Sequence, residues 1–258
     1  MTEEDVAVEA ANAAAAILRT TTPTGVRHKG AIDLVTEVDV RCEAAIRDVL
    51  LHHLPDVPIL GEEGGGAEGK TTRWVVDPLD GTTNFVHGFP FYAVSIGLEV
   101  DGVPTVGVVV DAVRDRVYRA TLGRGAWLGS ERLRTSDVRT LDEALCGTGF
   151  PYDSRTNAGP YLAVVRAFLE RTQGIRRAGA ASLDLAMVAA GHVDLFWEFS
   201  LRPWDVCGGT VLVREAGGRV SAIPGREGAD PASPIATNPW LHDEVVALIG
   251  RFTTEETA

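Results

Sequence analysis

Cysteine is scarce: Cys42, Cys146 and Cys207 are the only three in 258 residues, and they lie far apart. An odd, widely spaced set excludes a disulfide framework, and no pair has the short spacing that zinc sites use. Basic residues are in deficit too, with 24 Lys and Arg against 36 Asp and Glu and a formal charge of −12. A groove for nucleic acid needs a basic face, so no nucleic-acid partner is expected. Long apolar runs are missing: stretches such as Val106–Val110 fall far short of the roughly 20 residues a bilayer span requires. The opening Thr2-Glu3-Glu4-Asp5 carries the wrong charge for a secretory signal. No membrane partner and a reduced, cytoplasmic setting are therefore expected. No Pro/Ser-rich linker, internal repeat or low-complexity tract beyond Ala13–Ala16 divides the chain, and 45% of it is hydrophobic. One domain over residues 1–258 with one substantial core is the expectation.

What is present begins with helical and strand signals in a telling order. Thr2 followed by Asp5, and Thr36 followed by Asp39, read as capping-box starts of helices running to about residues 20 and 54. Short strands are expected at Ile59–Leu60 and Trp74–Val76. Tyr92–Val100 and Val103–Asp111 flank Asp101-Gly102, a strong hairpin turn. Strand signal continues at Arg116–Thr121 and Ala126–Leu128. The second half alternates: strands at Leu145–Thr148, Ile175–Arg177 and Val193–Trp197, helices at about 159–171, 181–190 and 203–216, and a last helix from Pro239 to Phe252. Hairpins followed by strand–helix alternation indicate an α/β (α+β) layered sandwich.

The chemistry concentrates in Arg73-Trp-Val-Val-Asp77-Pro-Leu79-Asp80-Gly81-Thr82-Thr83-Asn-Phe85. A buried strand delivers Asp77, and Pro78 fixes a bend that lets Asp77 and Asp80 converge. Gly81 lets backbone approach a ligand closely, and Gly81, Thr82 and Thr83 open a short helix whose N–H groups suit phosphate oxygens. Two carboxylates beside such an anion site make sense if magnesium lies between acid and phosphate, because Mg²⁺ takes hard oxygen ligands. The plain structural alternative for Asp77 and Asp80 is a type I turn with a cap.

That string resembles the first signature of the inositol monophosphatase family, in the lithium-sensitive, magnesium-dependent phosphatase superfamily. Lys29–Asp39 resembles the family's N-terminal segment, and Gly61-Glu62-Glu63 its metal-binding turn. Trp204-Asp205-Val-Cys-Gly-Gly209, running on to Glu215-Ala-Gly-Gly218, resembles its second signature. The resemblance implies the αβαβα fold shared with fructose-1,6-bisphosphatase, a cofactor requirement of two to three Mg²⁺ per subunit, sensitivity to lithium, and a homodimer.

The resemblance also implies roles. Glu62, Asp77, the Leu79 carbonyl, Asp80 and Asp205 would hold metal, and Glu62, Thr82 and Asp39 would present the attacking water. Glu63 and Lys29 would support them. Gly179, Ala180, Ala181 and Glu198, with Asp80 and Asp205, would contact substrate hydroxyls. Ala180 stands where many relatives carry Ser or Thr, which removes one such contact. Each acid also has a local reading: Asp39 as a cap, Asp205 as complement to a helix dipole worth about 0.3–1 kcal/mol, Glu198 as a loop acid, and Glu62 and Glu63 as members of a mobile acidic loop.

The function implied is magnesium-dependent hydrolysis of a phosphate monoester, foremost an inositol 1-phosphate, without a phosphoenzyme. A fructose-1,6-bisphosphate, 3′-phosphonucleotide or histidinol phosphate substrate is the alternative within the superfamily. Outside it stand a regulatory binding protein that retains the fold, as some family members touch the transcription machinery, and a domain that binds metal for stability alone.

Overall fold

A computed structural model of the protein describes residues 1–23, 26–28, 34–67, 69–228 and 232–253. Helix α1 (Glu3–Thr20) starts at the expected capping box, with the Asp5 N–H donating to Thr2 Oγ1 at 3.2 Å and the Thr2 N–H to Asp5 Oδ2 at 2.9 Å. Strands β1 (Arg27–His28) and β2 (Leu34–Val35) pair antiparallel, and α2 (Glu37–His53) follows from the Thr36 cap.

Seven strands then form one sheet in chain order: β3 (Ile59–Gly61), β4 (Arg73–Asp80), β5 (Ala93–Val100), β6 (Val103–Asp111), β7 (Arg116–Thr121), β8 (Ala126–Leu128) and β9 (Glu131–Arg132). Helix α3 (Thr82–His87) interrupts between β4 and β5. The expected hairpin is present, with Asp101 and Gly102 at φ +52° and +76°, the left-handed pair that a two-residue type I′ turn requires.

The second sheet has the order β11-β10-β12-β14-β13. Its strands are β10 (Leu145–Thr148), β11 (Gly174–Arg176), β12 (Leu195–Trp197), β13 (Arg219–Ala222) and β14 (Pro234–Thr237). Between them run α4 (Ala158–Leu169), α5 (Ala181–Ala189) and α6 (Pro203–Glu215), and α7 (His242–Thr253) closes the series. Helices α1 and α2 cover one face of the first sheet, α5 and α6 lie between the two sheets, and α4 and α7 cover the far face of the second. This is the expected αβαβα layering. Because helices cover both faces of the first sheet, β4 and β5 are buried almost throughout rather than alternating.

Three features differ from the sequence reading. Strand β4 runs on past Val76 to Asp80, through an irregularity that pairs Asp77 with Ser95 and Asp80 with Ala93. The last helix begins at His242 rather than Pro239. Asn238 Oδ1 accepts the N–H groups of Trp240 at 3.1 Å and Leu241 at 3.0 Å, which holds a turn ahead of the helix. Strands β1, β2, β9, β13 and β14 are additions to the expected set. All three cysteines are free and buried, and no helix of the described residues is long and apolar enough to cross a membrane.

Candidate active site

The ends of several elements meet around one cleft of about 520 Å³. Its acidic wall starts from β4. Side chains three apart on a regular strand point to opposite faces. Between Asp77 and Asp80 the partner strand advances only from Ser95 to Ala93, so one residue of β4 is absorbed as a bulge and both carboxylates face the same side. Pro78, with no N–H to leave unpaired, suits that position. The Leu79 N–H donates to Asp77 Oδ1 at 3.0 Å, which fixes the first carboxylate on the bulge.

Asp80 is held from across the molecule. The Ser182 N–H and hydroxyl both donate to its Oδ2, at 2.7 and 2.5 Å, and the Ala181 N–H adds to them. Asp80 thus anchors the start of α5 as well as lining the cleft. The Ala181 N–H, expected to meet substrate, is directed instead at Asp80. The Ala180 side chain is 1% exposed and packs in the core between the sheets. Gly179 and Ala181 line the cleft.

Gly81 ends β4 in a left-handed conformation, φ +89°, and its α-carbon leaves only 3.1 Å to the Phe91 carbonyl for any added Cβ. Gly81, Thr82 and Thr83 all line the cleft. The Thr82 hydroxyl lies 3.1 Å from Asp39 Oδ1 and 3.1 Å from the Leu79 carbonyl. The other oxygen of Asp39 accepts from the Thr36 N–H at 2.9 Å and the Thr36 hydroxyl at 2.5 Å. The capping role and the site role therefore belong to one buried carboxylate, each through a different oxygen.

Glu62 follows β3 in a turn closed by reciprocal Gly61–Gly65 backbone hydrogen bonds of 3.2 and 3.0 Å. This turn is held more firmly than the sequence suggested. Buried Glu43 on α2 accepts the N–H groups of Glu63 at 2.7 Å and Gly64 at 2.9 Å, while pairing with Arg47 at 2.8 Å. Glu62 points to the cleft; Glu63 supplies the backbone contact to Glu43. Lys29 lies outside the described residues.

Asp205 reaches the same cleft from the first turn of α6, where its Oδ2 accepts the Arg202 N–H at 2.7 Å. Glycines seat this helix: a Cβ on Gly107 would stand 2.2 Å from the Gly208 carbonyl oxygen, and one on Gly97 would stand 2.3 Å from Cys207 Sγ. Trp204 packs beside Leu60, Val75 and Cys207.

The electrostatics follow from this crowding. Burial, then the charges of Glu62, Asp80 and Asp205, pushes the Asp77 carboxyl well above the usual range, and it lies within hydrogen-bonding reach of Glu62. Burial, then Asp80 and Glu62, does the same to Asp205. Asp80 is also raised by burial, partly offset by the Ser182 and Ala181 donors. Burial and Asp184 push Glu198 up to about 8, against the pull of Arg177. Among the described residues, no three acids, histidines or cysteines are drawn together as a ready-made ion cage. The donor set itself fits a hard divalent cation: oxygen ligands from Glu62, Asp77, Asp80 and Asp205 line one cleft, and Asp77 and Asp205 are made costly to ionise by burial and by the neighbouring acids.

Sequence reasoning missed Ser182, Arg177, Asp184 and the loop residue Asp153, whose carboxylate accepts the Tyr161 hydroxyl at 2.9 Å beside the cleft. Ser182 had one local signal, its place in the first turn of a predicted helix, but nothing local links it to Asp80.

Comparison with known proteins agrees with this architecture. The model of the "Inositol monophosphatase family" matches residues 2–252. The chain is 50% identical over 206 residues to the Nus factor SuhB of Pseudomonas aeruginosa, covering 78% of this chain and 76% of that one. It is 41% identical over 227 residues to the inositol-1-monophosphatase of Caulobacter vibrioides, covering 86% and 89%. Its fold is similar to the solved IMPase of Thermotoga maritima, with a TM-score of 0.89, 32% identity and 99% of each chain covered.

Proposed function

The chain belongs to the inositol monophosphatase family, and from that premise we propose that it hydrolyses phosphate monoesters of polyols, foremost inositol 1-phosphate, with the help of magnesium. The observation that carries this reading is the gathering of Glu62, Asp77, Asp80 and Asp205 with Thr82 around one cleft, although these residues come from three separate segments. In this reading residues 1–258 act as one catalytic unit.

Glu62, Asp77, the Leu79 carbonyl, Asp80 and Asp205 would hold two or three Mg²⁺. Divalent ions so placed lower the pKa of water and neutralise charge on the entering and leaving oxygens. The rest is the work of the side chains. Asp39 and the Leu79 carbonyl both compete for the Thr82 proton, which turns the lone pairs of Thr82 Oγ1 outward to accept a hydrogen bond from the attacking water. Glu62 faces the same space and takes the proton that water gives up. The N–H groups at the opening of α3, at Gly81, Thr82 and Thr83, receive the phosphoryl oxygens. The alcohol portion of the ester extends along Gly179 and Ala181 toward Glu198. With its aspartates committed to metal, the protein forms no phosphoenzyme.

Phosphate release from inositol 1-phosphate, with Mg²⁺ present and then chelated, tests the proposal. Release is expected only with the ion, and Asp80→Asn should lower kcat/KM by about 10³-fold, the loss of several kcal/mol of charge stabilisation. A preference for fructose-1,6-bisphosphate would reject inositol 1-phosphate as the substrate.

A second role is favoured by one specific observation, the name Nus factor SuhB borne by the 50% identical relative from Pseudomonas aeruginosa. A regulatory binding function on the same fold is compatible with the acid cleft. If a cellular phenotype of gene loss is rescued by the Asp80→Asn variant, that role gains ground independently of hydrolysis.

A further inference from the structure

Of the four carboxylates read as metal ligands, Glu62 alone sits on a turn: Asp77 and Asp80 belong to β4 and Asp205 to α6. The turn reads Gly61-Glu62-Glu63-Gly64-Gly65-Gly66, and so many glycines leave an unconstrained backbone many conformations. Glu62 also lies within hydrogen-bonding reach of the Asp77 carboxyl, so like charge drives the two apart unless something resists.

Two residues one helical turn apart on α2 resist it. The Glu43 side chain is 4% exposed, and three donors converge on its carboxylate: the Glu63 N–H at 2.7 Å, the Gly64 N–H at 2.9 Å and Arg47 Nε at 2.8 Å. Arg47 reaches past that carboxylate, and its Nη2 donates to the Gly65 carbonyl at 2.9 Å. The turn wraps the pair closely. A Cβ on Gly61 would stand 2.5 Å from Glu43 Oε1, and one on Gly64 would stand 2.6 Å from the same atom. From the other side, the Glu62 N–H donates to the carbonyl of Val76, the residue ahead of Asp77, at 3.2 Å. Backbone is thus fixed on both sides of Glu62, while its side chain lines the cleft.

We propose that Glu43 and Arg47 are positioning residues: together they hold Glu62 beside Asp77 in advance and so set the affinity of the cleft for Mg²⁺. The physical argument is preorganisation. Ordering a glycine-rich turn and bringing two carboxylates together are both unfavourable, and the packing of α2 has already done both in the folded chain. Arg47 contributes twice. It offsets the Glu43 charge, so the pair adds no net charge near the acids. Its planar fork also spans a carboxylate and a carbonyl, which the single ammonium of lysine does not match.

The inference rests on the reading of Glu62 as a magnesium ligand, and its test tells the two apart. Thermal melts of the full chain across a Mg²⁺ titration, without substrate, give an apparent Kd for the natural protein, Glu43→Gln and Glu62→Gln. Glu43→Gln keeps the shape but offers one acceptor oxygen in place of two. Its Kd should rise about tenfold, the size expected of a partner behind a metal ligand. At saturating Mg²⁺, its kcat for inositol 1-phosphate should return to within about twofold of the natural value, because excess ion restores what a loosened turn loses. A general loss of structure would instead lower kcat at every Mg²⁺ concentration. A Kd within about twofold of the natural one, or a kcat that stays depressed at saturating Mg²⁺, overturns the inference. If Glu43→Gln proves unfolded, Arg47→Lys, which keeps the charge without the fork, decides on the same two criteria. Should the natural protein and Glu62→Gln respond to Mg²⁺ alike, Glu62 is no ligand and the inference falls with that reading. Should the natural protein bind Mg²⁺ without releasing phosphate, only the phosphatase reading fails, and the Kd of Glu43→Gln decides.

Discussion

Ser182 shows how much of the site rests on residues outside the metal-facing set. Its hydroxyl and N–H both end on one oxygen of Asp80, which holds the carboxylate in place on the cleft wall. Charged groups held this way lose little freedom when a ligand arrives, and partners behind a metal ligand typically matter by 10–100-fold. Ser182→Ala keeps the backbone donor and removes the hydroxyl. The Mg²⁺ concentration giving half-maximal activity should rise about tenfold, with the fold intact by circular dichroism; an unchanged Mg²⁺ dependence would show that the backbone donor alone suffices. Asp39 makes a related point. A sequence reader must choose between cap and catalytic partner, whereas the carboxylate has two oxygens and serves Thr36 with one and Thr82 with the other.

At the scale of elements, two devices aim the acids. The β4 bulge brings Asp77 and Asp80 to one face, and the glycine seat under α6 brings Asp205 to meet them. Gly107→Ala probes the seat. Its Cβ would meet the backbone oxygen of Gly208 at 2.2 Å, a clash that no rotamer relieves, so α6 must move. Overpacking of this kind costs about 1–3 kcal/mol. The urea midpoint should drop accordingly, and Mg²⁺-dependent hydrolysis should fall further than stability explains, because Asp205 travels with the helix. Loss of stability with full activity would show that Asp205 tolerates displacement. The turn at Gly61–Gly65 is a third device: Glu43 pins it from α2, so the glycines there serve a shaped turn rather than a free one.

For the molecule as a whole, crowded carboxylates link stability to pH and to metal. Asp77, Asp80, Asp184, Glu198 and Asp205 all have folded-state pKa values raised above their ordinary ones, burial being the first cause in each. A raised acid binds its proton more tightly when folded. Its stabilising contribution is complete below the ordinary values of 3.8 to 4.5 and is lost as pH climbs through the folded values, Glu198's lying at about 8. Without divalent metal, Tm should therefore decline from about pH 4.5 toward pH 8. Mg²⁺ binds the ionised form, so the Tm gain it gives should be larger at pH 8 than at pH 5. Thermal melts with Mg²⁺ and with chelator at both pH values check this; an equal gain at the two would remove these acids from the metal site.

Helix starts, the hairpin and the strand–helix alternation were legible in the sequence because each depends on neighbours: Thr2 with Asp5, Thr36 with Asp39, Asp101 with Gly102. The motif acids were legible too, since residues packed into one string carry a spacing that a reader can weigh. Tertiary structure decided the rest. Only the folded chain joins Ser182 to Asp80 across 102 residues, brings Arg177 and Glu198 to one cleft, turns Ala180 into the core and ties the Glu62 turn to Glu43. The physical reason is that hydrogen bonding and charge act over a few ångströms of space, and for these pairs the chain brings the partners close only after both sheets and the helices between them have packed.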